Sequence, residues 1–426
     1  MPRLLLLMSS RTYRAEAFLA AARTIPGLEL SVGTDRKQVL ERSNPAGNVT
    51  LDFARPERGA EQAVRYSARF PLDRILAVDD DGALLAALAA RTLGIPGNAP
   101  EAVATARDKS RMRSVVRSGG LPAPSFRVVR WADEAALERA GEEVSYPLVV
   151  KPLNLSASRG VIRANDRVEL LAAAARTGRL LTDPEVAREA GESCDRVLVE
   201  SFVEGPELSV DGMLRDGQVE SHALFDKPDP LDGPFFEETM LVAPSSLSDE
   251  ERRRVIEAAE RGAAAIGLVR GPIHAEVRAV HGAPVLIEIA PRSIGGRCSS
   301  AIRFEGGVSL EELILRRELD LPGEAPRRDD EPSGVMMLPI PRTGVLEQVL
   351  GQEAALAVDG VTGISITAPS GMWVCPPPEG GRYLGFVFAR APTREAVVQA
   401  LRSAHARLEI RYRDAGGGAA GGRHAR

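Results

Sequence analysis

Hydrophobic positions in the first hundred residues come in short runs separated by helical patterns. RLLLLM at Arg3–Met8 reads as a strand and Tyr13–Thr24 as a helix. LELSVGTD follows as strand and turn, GAEQAVRYSARF as a helix, RILAVDDDG as strand and turn, and ALLAALAARTLG as a helix ended by Gly94. Strands alternating with helices in this way predict a parallel sheet with helices on both faces. Asp79-Asp80-Asp81-Gly82 falls where a strand feeds a helix, the end of an open α/β sheet at which ligands bind. The same run also suits a helix N-cap with an acidic first turn, its commoner use. No G-x-G-x-x-G follows the first strand, which argues against a dinucleotide site.

Further along, Asp108 or Ser110 suits the cap of a helix that Lys109 begins and Gly119-Gly120 closes. Tyr146–Val150 is a strand, Lys151 ends it, and Pro152 stops the ladder from simply continuing. Leu153–Arg159 is small and polar, and Gly160-Val161-Ile162 starts a returning strand. A strand, a lysine and a Ser/Gly loop suit a phosphate clamp, with the ammonium as point charge and loop N–H groups folding over the anion. A plain hairpin is the rival reading. G-x-x-x-x-G-K-[ST] is absent, so this is not a P-loop. Val197–Val203 is an apolar strand running into a turn, and Glu207–Gly212 alternates, with Glu207, Ser209 and Asp211 on one face. A carboxylate there could accept both ribose hydroxyls, and residues 198–203 could offer backbone groups to a purine edge. Residues 222–244, which hold His222, Lys227, Glu237 and Glu238, lack a simple period and read as a long functional loop. A helix over Asp249–Ile266 ends at Gly267.

The stretch from His274 to Gly296 then reads as two strands, His274–Val280 and Val285–Ala290, each carrying one carboxylate in a mostly apolar frame. A three-residue connection, 281–283, would set Glu276 opposite Glu288 on one face, whereas two or four residues would separate them. Facing carboxylates repel unless a cation lies between them, and Mg²⁺ commonly takes one or two carboxylates plus substrate phosphates. The loop after Pro291 would bring the Arg292 guanidinium beside them, where it could stabilise charge on a phosphoryl or carbonyl oxygen. The plainer reading is a half-buried hairpin with two solvated glutamates.

The 426 residues suit two to four domains, and 44% hydrophobic residues are enough for sizeable cores. A net charge of −5 argues against a nucleic-acid binder. Cys194, Cys298 and Cys375 are too dispersed for a disulfide framework or zinc cluster and read as unpaired thiols in a reducing cytoplasm. The LLLLM run is too short to span a membrane. With no small-residue cleavage site after it and Ser9-Ser10-Arg11 following at once, it reads as a buried strand rather than a signal peptide. Asp414 onward, DAGGGAAGGRHAR, reads as a disordered tail.

Together, Lys109, YPLVVKPLNLSASRGV, VLVESFVEGPELSVDG, HAEVR and IEIAPRSIGG resemble the ATP-grasp enzymes, in order, from about Arg107 to Arg303. E-x-A-x-R, His274 two residues before Glu276, and PFFEETMLVAP are similar to the bacterial L-amino-acid (dipeptide) ligase branch. The resemblance implies a mixed α/β and α+β chain. Residues 1–105 would be an N-terminal parallel α/β domain, 106–190 the small ATP-grasp subdomain region, 191–310 the large subdomain with the metal site, and 311–413 a C-terminal α+β domain. It implies ATP and Mg²⁺, with Mn²⁺ as an alternative. Lys109, Lys151, Ser156, Ser158 and Gly160 would meet the phosphates, Glu200, Phe202 and Val203 adenine, Glu207 ribose, and Glu276 and Glu288 the metal. Arg292 would be catalytic, His274 a base or substrate-orienting group, and Glu237, Glu238, Lys227, Gly295 and Gly296 would lie toward the substrates. Ala290 departs from the pattern, because many members place a ligating Asn there and a methyl cannot coordinate. The implied activity is carboxylate–amine ligation through an acyl phosphate, in the cytoplasm, on small molecules and by a homodimer. The rivals are ligation or carboxylation of another carboxylate, as in purine-biosynthetic ligases or biotin carboxylase, and a non-catalytic ATP binder.

Overall fold

The computed structural model describes residues 2–413 apart from 39, 40, 42, 281, 282, 324 and 325. The tail expected to be disordered lies outside the described residues. The N-terminal sheet is parallel, in the order Asn48–Thr50, Glu29–Thr34, Arg3–Leu7, Arg74–Ala77. The continuous leucine run follows from burial on both sides. Leu5 and Leu7 pack with the helices Pro56–Ser67 and Asp80–Leu93, while Leu4 and Leu6 pack with Phe18 of the helix Ala15–Arg23. Gly94 ends its helix in the left-handed conformation, at φ 66°, which glycine adopts without a Cβ penalty.

A second, antiparallel sheet runs Phe126–Arg130, Arg196–Ser201, Leu148–Lys151, Ile162–Ala164. The helices Glu134–Val144 and Arg167–Leu181 cover it, with Leu137, Leu170, Val150 and Val199 in its core.

The largest sheet has eight strands: Ala283–Ala290, Gly271–Val280, Glu207–Arg215, Gln218–Asp226, Met240–Ala243, Ser333–Leu338, Gly385–Arg390 and Val361–Ile366. It crosses the domain boundary expected at 310, because Met240–Ala243 pairs with Ser333–Leu338. The long loop expected over 222–244 shrinks to 227–239, since both its ends are strands of this sheet. Backbone pairing partners from distant sequence, not a local period, order those ends. The helix Asp249–Ile266 packs on this sheet, and its Ser248–Glu251 capping box satisfies the first-turn amides. Among the described residues, no helix is long and apolar enough to cross a membrane.

Candidate active site

A cavity of about 480 Å³ opens between the small antiparallel sheet and the large sheet. Segments 9–13 and 79–81 of the N-terminal region and 373–386 of the C-terminal region also line it.

Glu276 and Glu288 are direct partners in the ladder, as expected, but the route differs. Val280 already pairs with Ala283, leaving fewer than three residues between the strands, and positions 281 and 282 lie outside the described residues. The register is restored by an irregularity that leaves Ile287 extra, between the pairs Glu276–Glu288 and Val277–Leu286. A bulge of this kind re-aims side chains beside it. Gly271–Val280 is held on its other edge by Glu207–Arg215, with Glu276 opposite Ser209 and Arg278 opposite Glu207. Both glutamates line the cavity.

Glu276 is in contact with Lys227, whose Nζ lies 2.9 Å from Glu276 Oε1 and 2.6 Å from Glu207 Oε1, and also pairs with Glu238. Burial opposes the Lys227 charge, but the three carboxylates outweigh it and hold the ammonium well above its usual range. Burial likewise opposes ionisation of Glu276, yet Lys227 and His274 hold it below the ordinary carboxylate range. Burial and the neighbouring Glu276 push Glu238 up. Glu207, Glu238 and Glu276 are close enough to share a metal ion, but the Lys227 ammonium already lies among them. Glu276 and Glu288 also line the cavity and carry the hard oxygen donors that Mg²⁺ takes, with Lys227 beside the first and Lys109 beside the second. Ala290 pairs with His274 across the ladder and adds no donor.

Arg292 donates from Nε to Asp80 Oδ2 at 2.9 Å and from Nη1 to Ser293 O at 3.0 Å. Burial disfavours its charge, but Asp80 and then Glu288 more than compensate, and the guanidinium stays charged. In the acidic run at 79–81, Asp79 stands at the N-cap position of its helix without a side-chain cap bond, and Asp80 grips Arg292. The loop carrying Arg292 is pinned from below by the buried Arg14, which donates to Val78 O, Ser293 O and Ser293 Oγ. His274 Nδ1 is 3.0 Å from Asp211 Oδ2, and Asp211 Oδ1 accepts the Ile294 amide at 2.8 Å. A buried carboxylate thus orients both the histidine and the arginine loop. Gly295 and Gly296 line the cavity, and Gly296, at φ 62°, would drive a Cβ to 2.9 Å from the Phe386 ring.

On the opposite wall, Glu200 is enclosed by Lys151 Nζ at 2.5 Å and by Arg113, whose Nε donates at 2.9 Å. Burial opposes its ionisation, but the two cations hold the carboxyl at about 2. Lys109 follows Asp108, the cap that accepts from Ser110 and Arg111 amides. Its Nζ donates to Leu155 O at 2.8 Å and lies 3.3 Å from Glu288. Ser156 and Ser158 line the cavity from the loop between Lys151 and Ile162, where Ala157, Ser158 and Gly160 all adopt positive φ. The Gly160 amide donates to Pro378 O at 2.7 Å, Arg159 pairs with Glu189, and Arg176 Nε donates to Glu379 at 2.6 Å. The loop is thereby joined to the C-terminal region.

Not every expected contact is open. Both oxygens of Glu207, expected at ribose, are held by Lys227 and by Arg278 Nε at 2.8 Å. The Phe202 amide donates to Pro147 O, and Val203 O accepts from Arg278. The Phe202 ring instead lies between the Arg163 and Arg278 guanidiniums. Glu237 does not line the cavity, and its carboxyl takes a hydrogen bond from the Ile340 backbone. His222 is buried against Phe304. Arg278 and Arg113 went unrecognised as site residues, while Asp80 was noted only within a ligand-binding or capping run and Asp211 only on the face read toward ribose. Of the two that were missed, Arg278 carried a signal, since period two puts it on the face of Glu276.

Two sheets thus face each other across a cavity with paired carboxylates, lysines and an arginine. Residues 144–301 match the ATP-grasp domain, and residues 336–413 match the L-amino acid ligase C-terminal domain 2. The chain therefore carries an ATP-grasp domain and an L-amino acid ligase C-terminal domain, and is similar to the ligases that share them. An L-amino acid ligase from Bacillus licheniformis has the same fold, with TM-score 0.80 and 24% identity over 97% of this chain and 99% of that one. An uncharacterised protein, y4rH, of Sinorhizobium fredii is 29% identical over 72% of this chain and 61% of its own length. The alanine–anticapsin ligase of Bacillus amyloliquefaciens is 27% identical over 64% of this chain and 60% of its own. The chain thus spans about three fifths of the curated relatives it matches.

Proposed function

We propose that the protein is an ATP-dependent carboxylate–amine ligase that joins amino acids or amino-acid-like substrates. The observation that carries this reading is the convergence of Glu276, Glu288, Lys109 and Arg292 on one cavity. The names of the relatives, an L-amino acid ligase and an alanine–anticapsin ligase, support the same chemistry.

A substrate carboxylate oxygen attacks the γ-phosphorus of ATP, giving an acyl phosphate and ADP. The amine nitrogen of the second substrate then attacks the acyl carbon, phosphate leaves, and the nitrogen loses its extra proton. Glu276 and Glu288 would hold Mg²⁺, which neutralises phosphate charge when bound. Lys109 and the loop of Ser156 and Ser158 receive phosphate oxygens. Release of Lys151 from part of its Glu200 contact would add a further ammonium. Arg292, held charged by Asp80, stabilises the transferring phosphoryl group and the oxyanion of the tetrahedral intermediate. His274, oriented by Asp211, is placed to take the amine proton. Acyl phosphates hydrolyse, so the loop over the cavity excludes water.

The test is ADP release from Mg-ATP with amino acids offered singly and in pairs, with products weighed by mass spectrometry. ADP formation that requires a pair and yields their condensed mass is expected. Tight ATP binding with no condensed product from any pair would falsify the reading.

A further inference from the structure

The cavity's cations are almost all committed. Arg11 pairs with Asp81, Lys109 with Glu288, Lys151 with Glu200, Arg159 with Glu189, Arg278 with Glu207 and Arg292 with Asp80. Arg382 is the exception: among the described residues, no carboxylate lies within ion-pair distance of it. It is exposed, it lines the cavity, and its polar partner is the Tyr13 hydroxyl. The Tyr13 ring meets Phe386 edge-on at 5.7 Å, and Phe386 lies directly against Gly296. A continuous wall therefore leads from Arg382 to the loop of Arg292.

We infer that Arg382 is the receptor for the α-carboxylate of the amine-donating amino acid. This rests on the ligase reading above. An amino acid that arrives as nucleophile brings a negative charge that takes no part in the reaction. At the reacting end of the cavity, Lys227, Lys109 and Arg292 already pair with Glu276, Glu288 and Asp80, so none of them is free to take that charge. A guanidinium at the rim, free of a carboxylate partner, binds it in two parallel hydrogen bonds and turns the amine inward. The first substrate has no such need, because its carboxylate is the group phosphorylated beside Arg292. Arg382 is thus a specificity determinant for the second substrate, selecting free amino acids over amines without a carboxylate.

The experiment compares an accepted amino acid with its own carboxamide as acceptor, at saturating Mg-ATP and first substrate, with kcat/KM read from condensed product. The native protein should prefer the acid by about ten- to hundredfold, the usual worth of a charge-assisted hydrogen bond. Arg382→Met should bring the ratio close to one through the acceptor KM, with the KM for ATP moving less than twofold. Arg382→Lys should keep part of the preference. A native protein that forms no condensed product takes down the ligase reading and this inference with it. An Arg382→Met protein that keeps the native ratio takes down this inference alone.

Discussion

Glu200 and Glu288 face the same cavity, yet one is enclosed by cations and the other is left open. Glu200 is 2% exposed, with Arg113 and Lys151 occupying both of its oxygens. Glu288, with a side chain 29% exposed, has Lys109 at 3.3 Å on one side and cavity on the other. The enclosed carboxylate has spent its charge on holding the small sheet to the helix Lys109–Ser118. The open one retains charge for a ligand. A glutamate's use in this protein is therefore read from what its second oxygen touches, not from its nearness to the cavity.

Removing the open charge should have the largest effect on turnover. Glu288→Gln is expected to cut ADP formation about a thousandfold while leaving the melting temperature near native, as losing one preorganised transition-state contact can cost about 10²–10³. A loss of less than tenfold would remove Glu288 from the proposed metal site. Removing the enclosed charge should act on stability instead. Glu200→Gln leaves Arg113 and Lys151 without their buried partner, so unfolding in urea should show a loss of about 3–5 kcal/mol. A melt unchanged from native would end the contrast between the two glutamates.

A smaller effect is expected at Asp80, which touches Arg292 and lies on the cavity wall. Asp80→Asn should lower kcat about tenfold through misalignment of the guanidinium, with little change in the KM for ATP. A rise in that KM at constant kcat would place Asp80 in binding instead.

The smallest effect is a matter of pH. Glu200 titrates near 2 in the folded chain against 4.5 unfolded, so the unfolded state binds more protons between these values. Stability from this group is complete above pH 4.5 and drains away as pH falls toward 2. Burial lowers His222 from 6.5 to about 4, so again the unfolded state takes up the proton first, and stability falls as pH drops from 6.5 to 4. His222→Phe should flatten the stability profile across that upper window and leave the lower one intact, as read by urea midpoints at stepped pH.

Much of this architecture was legible along the chain because local signals agreed. The helix Asp249–Ile266 could be bounded to the residue, since a capping serine and a closing glycine flank it. The facing of Glu276 and Glu288 was expected from a three-residue connection, which the structure does not have. The pair faces only because Ile287 is extra in the edge strand Ala283–Ala290, and no alternation pattern marks a bulge. Asp80 and Arg292 are 212 residues apart, and nothing local announces that they meet. The charge network around Lys227 escaped for the same reason. It joins two strands and a loop through side chains whose lengths, not spacings, decide the contact.

The bond from the Gly160 amide to Pro378 O, with the Arg176–Glu379 pair beside it, ties the loop between Lys151 and Ile162 to the C-terminal region. Where that clasp parts, the loop loses its tie to the C-terminal region. Arg176 and Glu379 are both partly exposed, so dissolved ions compete with their attraction. Salt therefore tunes the clasp: more of it screens the Arg176–Glu379 half and leaves the Gly160–Pro378 bond to hold the loop alone.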